Sequence, residues 1–208
     1  MSFQLKILRR GRSVWGGSSP ILYVWLLGLV LRTLHLVLSS DNPLLYMPIL
    51  DEKYYVDMGK MISAGHWEGG NGVFFMDPLY GYFLGLVFLV FGYNLTVVRL
   101  VQILIDSFSV VLINMIGTRI WNRKTGLVAS LLYAVYPVSL FYSLLILKTT
   151  LTISMLLCFT VLLIRSLERK GQFNWYALGL FGGLLTFLRG NMVLLIPFTI
   201  FIIPVYRP

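Results

Sequence analysis

Two adjacent acids, Asp51 and Glu52, and two isolated cations, Lys148 and Arg189, interrupt a chain that is otherwise strongly apolar. A carboxylate can act as general base toward a hydroxyl, and a lysine or arginine can stabilise an anionic leaving group such as a phosphate. Each of the four also has a plainer use. An aspartate at the start of a helical run can cap it, and a glutamate in a first turn is favoured by the helix dipole. A cation near the end of a membrane helix can snorkel to the headgroups. Both uses stay open for all four residues until the elements that carry them are placed.

Composition places the chain in a membrane. Of 208 residues 58% are hydrophobic and 12% charged, with a mean hydropathy of +0.82, values outside the range of water-soluble domains. The fold class expected is an all-α integral membrane protein. The net charge of +9 does not point to nucleic acid, because the basic residues fall in short clusters between apolar runs, as in cytoplasmic loops. Cys158 stands alone within an apolar run and reads as a packing or lipid-facing residue. The basic start (Lys6, Arg9, Arg10, Arg12) precedes an apolar run longer than a signal-peptide core, so that run is expected to remain as an anchor.

The apolar runs are Pro20 to Leu38, Pro78 to Tyr93, Leu95 to Gly117, Gly126 to Ile164 (broken near Pro137 and Lys148), Phe173 to Leu188, and Met192 to Val205. Spanning helices need about 20 residues, which makes the fourth run a helical hairpin. If Pro78 to Tyr93 lies at the interface, three clusters become cytoplasmic: the N-terminal one, Arg119/Arg123/Lys124, and Arg165/Arg169/Lys170. Arg207 joins them, and 11 of the 17 basic residues then share one side. The expectation is therefore about six spans after a basic cytoplasmic N-terminus (1–19), in a single transmembrane domain (20–208). A first external loop (39–94) would carry juxtamembrane amphipathic helices. That loop holds Asp41, Asp51, Glu52, Asp57, Glu68 and Asp77, six of the eight acids. Lys148 and Arg189 fall in turns on the same side.

Within the loop, Tyr54, Met58, Met61 and Ile62 recur at helical spacing, with Asp51 as expected N-cap and Gly65 as closure. This reads as a short helix lying on the membrane. Arg99 and Asp106, seven residues apart in one span, share a face and suit interhelical polar packing. His35 suits a hydrogen-bonded packing role. No spaced Cys/His/acid set suggests a metal site, and the need for a divalent metal is left open.

The ordered segments "LDEKYYVDMGKMISAG", "FFMDPLYGYFLGLVFLVFGYNLTVVRL", "IGTRIWNRKTGLVASLLYAVYP" and "LRGNMVLLIPF" resemble the N-terminal half of the GT-C glycosyltransferases. That group includes the dolichyl-phosphate-mannose protein mannosyltransferases and the aminoarabinose transferases. The resemblance covers nearly all of the chain from Pro20 onward. It implies a GT-C-like fold and a donor consisting of a polyprenyl-phosphate sugar. It implies an acid in the first external loop that acts on the acceptor, which falls on Asp51 with Glu52 as neighbour. It also implies basic residues that bind the donor phosphate, one of which falls on Arg189. Several relatives carry an acid in the second external turn, where this chain has Lys148. Catalytic subunits of the group have roughly twice as many spans, so the chain is expected to be a fragment or to work with a missing C-terminal half or a partner subunit.

The expected function is an inverting glycosyltransferase that moves a sugar to a protein, lipid or glycan hydroxyl. The expected location is a multi-pass protein of the plasma (cytoplasmic) membrane with cytoplasmic N-terminus and external active face. The expected site has Asp51 and Glu52 as catalytic acids, with Arg189 and Lys148 binding the phosphate. Membrane lipid and the lipid-linked sugar are the expected partners. Two alternatives remain: a transporter or flippase of lipid-linked sugar, and a non-catalytic fragment or subunit.

Overall fold

The computed structural model describes residues 19–68, 74–168 and 173–206. The sequence expectations for Lys6, Arg9, Arg10, Arg12, Arg169, Lys170 and Arg207 lie outside them. The described residues form helices and no strands: α1 (Ser19–Leu38), α2 (Leu50–Ser63), α3 (Leu79–Phe91), α4 (Leu95–Ile120), α5 (Arg123–Ala134), α6 (Pro137–Leu144), α7 (Thr149–Glu168), α8 (Phe173–Leu188) and α9 (Leu195–Tyr206). The all-α membrane reading holds.

The count of six spans does not. Among the described residues α1, α4 and α7 are long and apolar enough to cross a membrane, and α5 with α6 makes a fourth if the pair, bent by 53°, is one span. One break shortens α8 and α9. The chain leaves α8 at Arg189 and spends Gly190–Leu194 in a 3-10 turn. That leaves α8 with 16 residues and α9 with 12, both under the usual spanning length of about 17–25 residues. The long apolar run does divide as its two internal signals require. Pro137 has no N–H to continue a helix and opens α6, and a non-helical turn separates α6 from α7 just before Lys148.

α4 is the central post, packed against α1, α5, α6 and α7. Its polar side chains Arg99, Gln102, Asp106, Ser107 and Ser109 are buried. Asp106 accepts from Arg32 Nε of α1 at 2.6 Å, from Tyr133 Oη of α5 at 2.6 Å and from Ser139 Oγ of α6 at 2.9 Å. Arg32 also donates to Ser139 Oγ (2.7 Å), to Gly28 O (3.0 Å) and to Ala134 O (3.2 Å), the last being a carbonyl beside the bend. Arg32 is 0% and Asp106 2% exposed. A charge this deep persists only when paired and hydrogen-bonded. Arg99 and Asp106 do both serve polar packing, as their shared face suggests, but with different partners. His35, also as expected, lies 3.3 Å from Leu140 O.

α2 and α3 form a second unit laid across the start of α4. Met58 and Ile62, read from sequence as membrane-facing, are buried instead against α3. The reason is close helix approach. A Cβ on Gly59 would stand 2.8 Å from Leu84 Cβ, and Gly85 is pressed in turn against Ile62, so small residues let the two backbones meet. At 13 residues α3 is too short to span, in keeping with its sequence reading as a juxtamembrane helix.

Asp106→Asn removes the charge that answers Arg32 and should cost about 3–5 kcal/mol, the usual effect of orphaning one member of a buried pair. Denaturant unfolding in detergent measures it. Arg32→Met combined with Asp106→Leu should recover most of that loss, and a single-variant cost under ~1 kcal/mol would show that the pair does not tie α1 to α4.

Candidate functional site

Asp51 is not the cap of α2. Ile49 holds that position without a side-chain hydrogen bond, and the helix is entered through Leu50, whose φ of 50° makes it the one non-glycine residue with positive φ among those described. An L-residue in that region is strained by about 1–2 kcal/mol, and such strain tends to persist where surrounding structure fixes it. The consequence is that Asp51 and Glu52 both sit in the first helical turn. Asp51 is exposed. Glu52 is half-buried and its Oε1 accepts from Ile146 N at 2.9 Å, across 94 residues.

Ile146 belongs to the turn between α6 and α7, where backbone groups lose their helical partners. Those groups are claimed by side chains of α4. Arg99 Nε donates to Leu144 O at 2.8 Å, and Gln102 Nε2 donates to Leu145 O at 2.8 Å. Tyr80 of α3 bonds Gln102 Oε1 and so orients its amide. Carbonyls are held from one side and an amide from the other, so the turn is fixed where Lys148 leaves it.

Asp77 completes the group. Tyr54 Oη accepts from Phe75 N (3.2 Å) and Met76 N (3.4 Å), anchoring the chain just ahead of it. Asp77 Oδ2 pairs with Lys148 Nζ, and its Oδ1 accepts from Gly190 N at 3.2 Å. One carboxylate therefore joins the Lys148 turn to the turn that carries Arg189. The Arg189 side chain itself is exposed, and no acid among the described residues forms a salt bridge with it. Lys148 does not simply snorkel. Burial works to lower its pKa, but the Asp77 carboxylate and Tyr55 outweigh burial and the net shift is upward, so the ammonium stays charged through neutral pH.

Beside Lys148 stands Tyr55, 1% exposed. Burial pushes its phenol up from the ordinary value, and the nearby Lys148 only partly offsets this. The Tyr55 hydroxyl oxygen is buried without a hydrogen bond of acceptable geometry.

The four site residues expected from sequence thus meet at one end of the bundle, where α2 begins, α6 ends and α7 begins. The Asp51 and Arg189 side chains are exposed at the rim and make no hydrogen bond or salt bridge among the described residues, while Glu52 and Lys148 are engaged. The opposite end of α4 carries Arg119, which grips Glu168 of α7 through two hydrogen bonds. Sequence reasoning counted Asp77 only as a loop acid and passed over Tyr55 and Gln102. Two signals existed: Tyr55 lies at i+3 from Glu52, on the same helical face, and Gln102 lies between Arg99 and Asp106 in one polar stripe.

A family model for dolichyl-phosphate-mannose-protein mannosyltransferases matches residues 77–207, more than half of the chain. The match includes Asp77, Lys148 and Arg189 and begins after Asp51 and Glu52. No curated protein and no solved structure matches.

Asp77→Ala should remove the largest support of the Lys148 ammonium, leave Tyr55 alone against burial, and move the lysine's titration to lower pH. The pH dependence of Lys148 acetylation, followed by mass spectrometry, reads this directly. A midpoint that stays in place would mean that Asp77 does not hold the ammonium.

Proposed function

Since the chain belongs to the dolichyl-phosphate-mannose-protein mannosyltransferase family, a family of glycosyltransferases, we propose that it transfers a sugar from a polyprenyl phosphate to an acceptor hydroxyl at the external membrane face, with inversion. The observation that carries this reading is the placement of a free carboxylate, Asp51, at the rim of a cluster where Asp77 gathers Lys148 and the Arg189 turn. We read Asp51 as a base beside those cations, the arrangement that displacement of a phosphate by a hydroxyl requires.

In the proposed reaction the acceptor oxygen attacks the anomeric carbon as Asp51 takes its proton. The bond between that carbon and the phosphate oxygen breaks, and the polyprenyl phosphate leaves with the electron pair. Lys148 and Arg189 stabilise the charge that develops. Arginine offers a planar fork of donors to a phosphate, whereas lysine offers a point charge. Glu52, held by Ile146 N, keeps the Lys148 turn against α2. Below Lys148, an apolar groove of about 400 Å³ lined by Leu104, Phe108, Leu151, Ser154 and Cys158 offers a path for the lipid. The acceptor is a hydroxyl of a protein, lipid or glycan.

With a polyprenyl-phosphate sugar as donor, and any partner the chain requires supplied, Asp51→Asn should lower turnover by ~10²–10⁴-fold, the usual contribution of a positioned base. Donor binding should be nearly unchanged. In the same assay Arg189→Ala should raise KM for the donor. Normal turnover in Asp51→Asn would remove Asp51 from the chemistry.

The external face is supported by the described basic residues Arg119, Arg123, Lys124 and Arg165, which lie toward the other end of the bundle. Cysteines placed singly at the exposed positions His66 and Asn122, in a Cys158→Ser background, report it through an impermeant thiol reagent. His66→Cys should label in intact cells and Asn122→Cys only after permeabilisation. The reverse pattern would put the site on the cytoplasmic side.

A further inference from the structure

Three donors converge on the space around Asp77, and its carboxylate answers two of them. Lys148 Nζ bonds Oδ2 and Gly190 N bonds Oδ1. The third is the Tyr55 hydroxyl, which is buried with no hydrogen bond of acceptable geometry although Lys148 lies against its oxygen and Asp77 and Asp51 are within electrostatic reach. A lysine ammonium has only hydrogens to give. However closely it approaches the phenol oxygen, the phenol proton still lacks an acceptor. What is missing at this point is an acceptor oxygen, and a buried unsatisfied donor of this kind calls for a specific cause.

A carboxylate has two oxygens in one plane. A phosphate is tetrahedral and presents further oxygens out of that plane. We infer that Asp77 is a tethered stand-in for the donor's phosphate: its carboxylate occupies a cradle formed by Lys148, Gly190 N–H and Tyr55, and the lipid phosphate displaces it and fills all three donors. The inference rests on the reading of Lys148 as a phosphate ligand, and adds to it the Tyr55 hydroxyl and the exchange with Asp77.

The energetic case for a stand-in is direct. An unpaired ammonium at this depth, a quarter exposed, would be costly while the donor is away. Asp77 neutralises it then, and being itself partly exposed can swing toward solvent when a stronger anion arrives. In the intact donor the phosphate is a diester with two non-bridging oxygens. A third terminal oxygen, with its charge, exists only as the bond to the sugar breaks. A third donor is therefore matched to the departing phosphate more than to the bound donor, and Tyr55 serves the leaving oxygen.

The test uses farnesyl phosphate, which carries the three terminal oxygens of the departing lipid, bound to the full chain in nanodiscs. Tyr55→Phe should weaken its binding by about 10-fold, the order expected for one hydrogen bond to a charged group. The melting temperature of the free protein should hold or rise, since the hydroxyl removed had no partner. Asp77→Asn should tighten binding several-fold, because a competing anion is gone while the acceptor for Gly190 N–H remains. Unchanged affinity in Tyr55→Phe, or a fall in its melting temperature along with affinity, would remove Tyr55 from the cradle. Unchanged or weaker binding in Asp77→Asn would end the exchange. Lys148→Gln separates this inference from the reading beneath it: it should weaken binding strongly, and if it does not, the phosphate site at Lys148 falls, whatever the other two variants do. Inorganic phosphate is the comparison ligand. If it binds as tightly as farnesyl phosphate and responds in the same way to both variants, the cradle serves free phosphate and the assignment to a lipid-linked donor is wrong.

Discussion

A helix broken inside a membrane bundle leaves carbonyls and amides that lipid cannot satisfy, and each left bare costs several kcal/mol. The turn between α6 and α7 is such a break. Its repair sets the geometry of the site. Arg99 and Gln102 reach from α4 to the carbonyls of Leu144 and Leu145, and Glu52 reaches from α2 to the amide of Ile146. α2 lies in the loop between α1 and α4, so a hydrogen-bonding need in a buried turn at one end of the bundle determines where that loop sits. Asp51, one residue from Glu52, is carried to the rim by the same contact.

The buried pair Arg32 and Asp106 applies the same constraint one layer further in. The bend between α5 and α6 frees Ala134 O, and Arg32 takes it while holding Asp106 and Ser139. The direction in which α6 leaves α5 is thereby linked to α1 and α4. Since α6 ends at the turn that delivers Lys148, the inner network supports the outer one. Packing does the rest: Tyr55, Tyr80, Leu84, Val98, Ile146 and Leu188 form one apolar cluster across α2, α3, α4, the turn and the end of α8. The polar contacts choose the register and the apolar cluster holds it.

What could be read from the sequence follows from how local each feature is. α1, α4 and α7 are long apolar runs without internal breaks, and their composition alone locates them. The division of the fourth run follows from Pro137, and the short α3 from its length between Pro78 and Gly92. Asp51 looks like a cap, whereas the cap is Ile49 and the strained Leu50 begins the helix two residues earlier than that reading places it. The pairing of charges was beyond reach in a different way. Arg32 meets Asp106 across 74 residues, Lys148 meets Asp77 across 71, and Gly190 meets Asp77 across 113. No periodicity encodes such meetings, which are decided when helices dock. Four candidate residues that the fold brings to one end of the bundle were therefore legible, but their partners were not.

The charges of this chain are graded by how freely they can act. Arg32 and Asp106 are closed on all sides and each is fully answered, so they can hold helices together but cannot exchange partners without unfolding. Lys148 and Asp77 are 25% and 30% exposed, paired yet able to part. Asp51 and Arg189 are open at the rim. A reaction that brings in one anion, releases another and moves one proton requires its reacting groups in the second and third of these settings, supported by a framework built from the first.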